Sequence, residues 1–451
     1  MNKSSKWIFG ILILALILRL ALVVSVQGHF ERANEPDTAS YTTLASRLVN
    51  GEGFIDDPHR TPVYPLFIAF FYWVFGEQPL PIIFAQIILS LLTVYMTYII
   101  GKGLLSETAG ILAALLMAIS IESITNAFFI LTETIFATLF IGSLLSYIIF
   151  RKSRKRRWIL FSGLLMGLAV LCRPIATYFT LLFIFLILID QAKDWGERII
   201  NSLLYAAATM ALIIPWIIWN YASAGIATIS TISNYNLLFY NAASLQANQS
   251  GLSEGEIRET LKDQVAQLME QRGLSDTIYN RDLIYKELAL KIIFSDPIRY
   301  SCLHLKSDLN NLLPGVTDLT EILGITVGGK GTLAVLNKDG LMAAIRHYFE
   351  DKAWLIGIFA PAIILLVLTY LTGLAGIGIL IKDRNWFALE ILLLPIIYLL
   401  LIPGAPSNQR FRAPAMPYIC LLAAQGSIFL WYSAKSIYSK KSNGRITPDR
   451  G

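Results

Sequence analysis

The chain has 451 residues, of which 55% are hydrophobic and only 15% are charged. Soluble domains carry about one quarter charged residues, so this composition excludes an ordinary soluble domain and predicts a polytopic membrane protein. The formal net charge of +6 comes from short basic clusters between apolar runs, where orientation in the membrane accounts for them better than nucleic-acid binding. We therefore expect membrane lipids, and no nucleic acid, as partners.

The apolar runs predict an all-α integral membrane bundle of about ten transmembrane helices. The first run follows a basic N-terminus, is long enough to cross and lacks a small-residue cleavage site, so we interpret it as an uncleaved signal anchor. Arg19 lies inside this run, and we expect it to face other helices or water. The two runs beside Arg173 are short and could form a broken or re-entrant hairpin. The predicted spans are residues 7–26, 80–100, 109–129, 130–150, 158–172, 175–189, 199–219, 354–381, 386–402 and 414–432.

Lysine and arginine in the short loops predict the orientation of the bundle. If Lys3 and Lys6 are cytoplasmic, the basic run 151–157 and the basic C-terminal tail fall on that same side. Both termini are then cytoplasmic. The division that follows is an N-terminal transmembrane module (1–219) with a first outer loop (27–79), an extracytoplasmic segment (220–352), and C-terminal transmembrane helices with a cytoplasmic tail (353–451). Four outer pieces can then converge on one site: residues 31–65, the turn at Arg173, residues 220–352 and the turn 408–412.

The first outer loop carries the densest set of candidate catalytic residues. Glu35 and Asp37 are one residue apart, and Arg60 follows before an apolar run at 62–76 that is too short to cross. A carboxylate whose pKa is raised by partial desolvation beside a membrane is a candidate general base. From spacing alone, the cap of a helix over residues 38–48 is the better single explanation of Asp37, and both interpretations remain open here. The apolar run is expected to lie along the outer interface.

The long outer segment is predicted to be small and mostly helical. Ser253 and Glu256 form a capping-box pattern, and residues 282–294 repeat apolar side chains at helical spacing. The run 324–331 has the glycine and lysine spacing of a phosphate-binding loop, but Gly331 stands where that motif needs Ser or Thr. We interpret this run as a glycine-rich loop.

Four arginines at the outer face are candidate ligands for a phosphate, because guanidinium binds phosphate through paired hydrogen bonds. Each is also explained as an ordinary interfacial anchor. Glu133 lies near the outer end of an apolar run, where it faces either a polar cavity or headgroup-level water. Asn236, in the outer segment, is a weaker candidate for substrate binding. The four arginines are Arg60, Arg173, Arg410 and Arg412.

Histidines and cysteines are scattered and show no metal-ligand spacing, so no metal site and no required cofactor are predicted. His59 lies beside the first outer loop, which leaves a divalent cation open.

Nine stretches, taken together in their order and spacing, carry a family resemblance. They are residues 36–54, 60–76, 86–92, 131–136, 171–176, 215–221, 229–242, 295–300 and 410–418. With them the chain resembles the bacterial dolichyl-phosphate-mannose-protein mannosyltransferase-like family, the family 39 glycosyltransferases of GT-C fold. The similarity covers most of the chain.

The resemblance implies a polyprenyl-phosphate-sugar donor, an acceptor hydroxyl on a lipid, glycan or protein, and transfer with inversion. It also implies a bacterial plasma membrane and an extracytoplasmic active site in which Asp37 occupies the position of the acidic base. The family often has adjacent acidic residues there, whereas this chain has Glu35-Pro36-Asp37, so it stays open whether Glu35 shares the chemistry or binds substrate. The alternative function is a transporter or flippase of lipid-linked sugars, which would use similar cations.

Overall fold

The computed structural model describes residues 3–54, 58–190, 194–325, 335, 339–349, 352 and 354–443. Within these ranges the ordered elements are helices joined by short turns, and no strand occurs. The all-α prediction is therefore confirmed. The phosphate-loop-like run at 324–331 lies mostly outside the described residues.

The helices before the outer segment follow the apolar runs of the sequence. They are α1 (Lys3–Ser25), α2 (Thr38–Val49), α3 (Val63–Phe75), α4 (Pro79–Leu104), α5 (Glu107–Ile119), α6 (Ile121–Phe128), α7 (Glu133–Ser153), α8 (Arg157–Cys172), α9 (Ala176–Ile189) and α10 (Trp195–Ala224).

Shorter helices form the outer segment, and three helices follow it to the C-terminal end of the described residues. The first set is α11 (Ile232–Asn236), α12 (Ala243–Ser250), α13 (Glu254–Gln271), α14 (Ile278–Ser295), α15 (Pro297–Asp308), α16 (Val316–Ile322) and α17 (Leu341–Phe349). The C-terminal set is α18 (Trp354–Lys382), α19 (Trp386–Leu401) and α20 (Met416–Asn443).

Six of the described helices are long and apolar enough to cross a membrane, or seven if α5 and α6 form one bent span. The count of about ten is thus not confirmed. The predicted span 109–129 is not one straight helix, because the chain breaks at Ser120 and the two halves are bent by 53°. Helices α8, α9 and α19 have 16, 14 and 16 residues. At a rise of about 1.5 Å per residue they fall short of a hydrocarbon core of about 30 Å.

Arg19 connects the first helix to three neighbouring helices through hydrogen bonds. Its side chain is 1% exposed, and its guanidinium donates to the Ser90 hydroxyl at 2.9 Å, the Ser123 hydroxyl at 2.6 Å and the Ala118 carbonyl at 3.2 Å. These partners lie on α4, α6 and α5. The expectation that Arg19 faces other helices is confirmed, and its role is structural because its charge is surrounded by internal acceptors.

Helices α2 and α3 pack against each other in the first outer loop. α3 buries Tyr64 and Ile68 on one side and exposes Phe70 and Trp73 on the other. A 13-residue helix with an exposed aromatic side has the form expected of an interfacial helix.

The outer segment has a hydrophobic core of its own, formed by apolar side chains of α12, α13, α14 and the turn before them. The capping box predicted from Ser253 and Glu256 is present: the hydroxyl accepts from the Glu256 backbone, and the Glu256 carboxylate accepts from the Ser253 backbone. This arrangement satisfies two amide donors at the start of α13. The helical expectation for residues 282–294 is confirmed by α14.

Candidate active site

Asp37 stands at the N-terminal boundary of α2, but its side chain makes no capping hydrogen bond. The Asp37 Oδ1 atom instead accepts from Arg60 Nη2 at 2.8 Å, and Oδ2 accepts from Arg410 Nη2 at 3.2 Å. Of the two interpretations left open by the sequence, the carboxylate is therefore used in a charged site and not as a helix cap.

Arg410 is the cation that links the carboxylates of this site. Its guanidinium nitrogens lie 3.2 Å from Asp37, 3.7 Å from Glu35 and 3.9 Å from Glu133. The Arg410 side chain is 20% exposed. We call the following six residues the arginine–carboxylate cluster: Glu35, Asp37, Arg60, Glu133, Arg173 and Arg410.

The deepest part of the cluster is the ion pair between Arg173 Nη1 and Glu133 Oε1, at 2.6 Å. The Glu133 side chain is only 3% exposed, so it does not reach headgroup-level water. Arg173 also donates to the Thr132 hydroxyl at 3.1 Å. The Phe411 ring lies 5.2 Å from the Arg173 guanidinium and 5.7 Å from that of Arg410. An aromatic ring within about 6 Å of two cations attracts both of them through its π face.

Arg60 is held in place by Tyr41 as well as by Asp37. It donates to the Tyr41 hydroxyl at 3.0 Å, and its guanidinium lies 4.6 Å from the centre of that ring. The Tyr41 ring in turn packs edge-on against Tyr64 at 5.0 Å. The planar guanidinium is thus oriented before any ligand arrives, which lowers the cost of binding.

Hydrogen bonds between distant segments bring the cluster together. The Thr38 hydroxyl donates to the Ile130 carbonyl at 3.0 Å, and the Ile130 amide donates to the Ala33 carbonyl at 2.8 Å. These hydrogen bonds connect the first outer loop to the turn before Glu133. The Thr61 hydroxyl donates to the Cys172 carbonyl at 3.1 Å and so joins Arg60 to the Arg173 turn.

The pKa values of the two loop carboxyls are shifted in opposite directions. Burial opposes ionisation of Asp37, but Arg60, Arg410 and Arg173 outweigh it and lower the pKa of Asp37 below its ordinary value. The expectation that desolvation raises this pKa is therefore wrong, because neighbouring positive charge dominates. The pKa of Glu35 is raised, mainly by burial.

Arg412 is not part of the cluster, although it is only two residues from Arg410. Its side chain is 0% exposed, forms an ion pair with Glu122, and donates to the carbonyls of Asn311 and Leu313 at 2.8 Å each. The 3-10 turn at Gln409–Ala415 directs the two arginines to different surroundings. The structure thus separates Arg412 from the other candidate phosphate ligands.

Asn236 and His59 contact the outer segment. The Asn236 carbonyl accepts from Asn241 at 3.3 Å, and the His59 ring packs edge-on against Tyr235 at 5.5 Å. In the described part of the chain, no group of three His, Cys, Asp or Glu side chains is arranged to hold a metal ion.

Asp318 and Gln409 border the cluster and were not among the residues predicted from sequence. The Gln409 side-chain amide donates to Asp318 at 2.8 Å and to the Thr317 hydroxyl at 2.9 Å. Burial raises the pKa of Asp318 to about 6, and the charge of Glu35 acts in the same direction. An acidic residue in an outer helix looks like a surface residue in sequence, so no signal distinguished Asp318.

The described helices form an apolar bundle, and six of them are long and apolar enough to cross a membrane, which is the architecture of a multi-pass membrane protein. Residues 58–219 match the family model described as dolichyl-phosphate-mannose-protein mannosyltransferase. The family resemblance predicted from the sequence is confirmed over that segment. No curated protein sequence matches the chain.

Solved structures of the oligosaccharyltransferase from Archaeoglobus fulgidus share the fold. The enzyme AglB in complex with an inhibitory peptide and a dolichol-phosphate has a TM-score of 0.54 and 15% identity over 100% of this chain and 53% of that chain. The apo form has a TM-score of 0.55, with the same identity and coverage. The form tethered to an acceptor peptide has a TM-score of 0.54 and 14% identity, over 96% of this chain and 50% of that chain. This chain thus spans about half the length of the similar structures, and the likeness shows the fold.

Proposed function

We propose that the protein is a membrane glycosyltransferase that moves a sugar from a polyprenyl-phosphate-linked donor to an acceptor hydroxyl. The observation that carries the proposal is the position of Asp37 between Arg60 and Arg410, at 2.8 Å and 3.2 Å. A proton acceptor and two phosphate-binding cations are thereby within reach of one reacting centre. The family match over residues 58–219 supports the same activity, as does the dolichol-phosphate bound by AglB.

The arginines would hold the phosphate of the donor. Arg60 and Arg410 each direct one N–H group to Asp37, and Arg173 directs one to Glu133. The charges of the cluster therefore compensate one another before the sugar-phosphate substrate binds. An incoming phosphate can exchange for Asp37 as the acceptor of the first two arginines. Guanidinium groups suit this exchange because several N–H donors lie in one plane.

The exchange also prepares the base. With Arg60 and Arg410 turned to the phosphate, Asp37 loses the charges that lower its pKa and becomes a better proton acceptor. In the reaction Asp37 takes the proton of the acceptor hydroxyl while the acceptor oxygen bonds to the anomeric carbon. The bond from that carbon to the phosphate oxygen breaks, the electron pair leaves with the polyprenyl phosphate, and the configuration inverts.

The test compares Asp37→Asn with Glu35→Gln in purified protein. We expect Asp37→Asn to reduce the turnover number by at least about a hundredfold, the scale of general base catalysis, with polyprenyl-phosphate binding retained. Glu35→Gln should change turnover less, because Glu35 contacts the cluster only through the 3.7 Å ion pair to Arg410. Since burial raises the pKa of Glu35, the reverse ranking of the two variants would make Glu35 the base.

We further propose that the cluster faces away from the cytoplasm of a bacterial plasma membrane, with both chain termini cytoplasmic. The distribution of lysine and arginine supports this orientation. Ser275 is exposed in the outer segment between α13 and α14. A cysteine placed there should react with an impermeant thiol reagent on intact cells. Protection of that cysteine would overturn the orientation, whereas Asp37 chemistry is tested separately.

A further inference from the structure

We propose that a cavity at the other end of α7 binds the phosphate of a membrane phospholipid headgroup. α7 begins at Glu133 in the arginine–carboxylate cluster and has 21 residues, so its two ends are about 30 Å apart. The cavity, of about 220 Å³, is lined by Phe150, Arg154, Arg156, Glu197 and Asn201. It lies between the ends of α7, α8 and α10 and takes no part in the proposed transfer.

Arg154 and Arg156 supply the positive charge of this cavity. No side-chain hydrogen bond or ion pair joins either arginine to another residue in the described ranges, in contrast to Arg151, which pairs with Asp190 at 3.0 Å. Two guanidinium groups at the rim of one cavity, without an internal carboxylate partner, are available to an external phosphate.

The backbone at Arg154 gives independent support. This residue ends α7 in the left-handed region, with φ of 59°, and its amide donates to the Phe150 carbonyl at 2.8 Å. Glycine or asparagine is the usual residue in such a helix cap. An arginine is strained there, and the strain is accounted for if its guanidinium is needed at the cavity.

Asn201 adds a polar group inside the cavity. Its side chain is only 4% exposed, and it forms no hydrogen bond with another described residue. Its amide atoms keep access to the cavity, where they can donate to or accept from a ligand. Glu197 also lines the cavity.

The surroundings place this cavity where lipid headgroups lie. Trp158 and Trp195 lie in the first turns of α8 and α10, and each has an arginine 5.7 Å from its ring. Tryptophan and arginine are enriched at the boundary between lipid and water. Further along the same two helices, Phe161 on α8 and Leu203 on α10 are exposed, as is expected of side chains that contact acyl chains. The ligand source favoured by these positions is a lipid and not a free phosphate.

The experiment measures phosphatidylglycerol binding to purified, delipidated protein by native mass spectrometry, with phosphatidylcholine as the comparison lipid. We expect the wild-type protein to retain phosphatidylglycerol preferentially, and Arg154→Gly with Arg156→Ala to weaken its binding by about tenfold or more. Glycine relieves the backbone strain at residue 154, so the variant should fold. A thermal unfolding midpoint no lower than that of wild type checks this directly.

Lys155→Ala is the matched control, because Lys155 belongs to the same basic loop but does not line the cavity. It should leave phosphatidylglycerol binding within about twofold of wild type. An equal loss in Lys155→Ala, or no preference for phosphatidylglycerol in the wild type, would overturn the site. Should the double variant not fold, Arg156→Ala alone, in the exposed loop, gives the same comparison. Competition by glycerol phosphate or inorganic phosphate at equal concentration would show a soluble ligand and refute the lipid.

Discussion

Replacing Arg410 by methionine removes the cation that links Glu35, Asp37 and Glu133, while it keeps most of the side-chain length. Only the contact with Asp37, at 3.2 Å, is short enough for a hydrogen bond, because the other two distances are 3.7 Å and 3.9 Å. The structure therefore assigns Arg410 one charge-assisted hydrogen bond that a donor phosphate can take over. Such a bond contributes about 1.5–3 kcal/mol, which corresponds to a loss of about 10- to 150-fold in donor affinity.

The assay is titration of the purified protein with a polyprenyl phosphate, which requires no knowledge of the sugar. We expect Arg410→Met to bind about 10- to 150-fold more weakly and Arg410→Lys to lie between it and wild type, because lysine keeps the charge without the planar fork. Arg272→Met is the matched control, since Arg272 forms an exposed pair with Glu287 in the outer segment. Unchanged affinity in Arg410→Met would refute the role of this arginine in phosphate binding.

Three further predictions concern stability and are checked by thermal unfolding in detergent. Arg412→Met should destabilise the fold by about 3–5 kcal/mol by leaving Glu122 charged and buried, and Glu122→Gln in the same chain should restore part of the loss. Because the pKa of Asp318 is raised from 3.8 to about 6, the folded state binds more protons than the unfolded state in this interval, so stability should fall as pH rises through it. Asp318→Asn should remove that fall, and an unchanged pH dependence would contradict the assignment. Gln86→Leu should lower the free energy of unfolding by about 1–3 kcal/mol for each buried polar group left unpaired, because Gln86 donates to the Phe129 carbonyl at 2.8 Å. An unchanged unfolding midpoint would show that water replaces the side chain of Gln86 as the donor.

Much of the site could be predicted from the sequence because charge in an apolar chain is rare and expensive. Arg60, Arg173 and Arg410 were assigned to one face from the basic loops alone, and their side chains do meet at Asp37 and Glu133. Arg412 could not be separated from Arg410 in this way. Both stand in one short turn, and only the path of that turn decides that Arg410 reaches the cluster while Arg412 pairs with Glu122.

The direction of the pKa shift of Asp37 likewise could not be predicted from the sequence. Burial and positive neighbours shift the pKa of a carboxyl in opposite directions, and the outcome depends on distances of a few ångströms. Here Arg60 comes from a position 23 residues further along the chain, and Arg410 from one 373 residues further. No local pattern near residue 37 specifies those distances.

The sequence by itself determined that this is a helical membrane protein, where its apolar runs lie, and that an acidic pair and several arginines belong to its polar turns. Those properties follow from composition and periodicity, since backbone polar groups in a bilayer must be satisfied within helices. Only the tertiary structure decided that α5 and α6 are bent at Ser120, that Asp37 binds two arginines, and that Arg412 is internal. Each of these depends on contacts between segments far apart in the chain, whose energies local sequence does not encode.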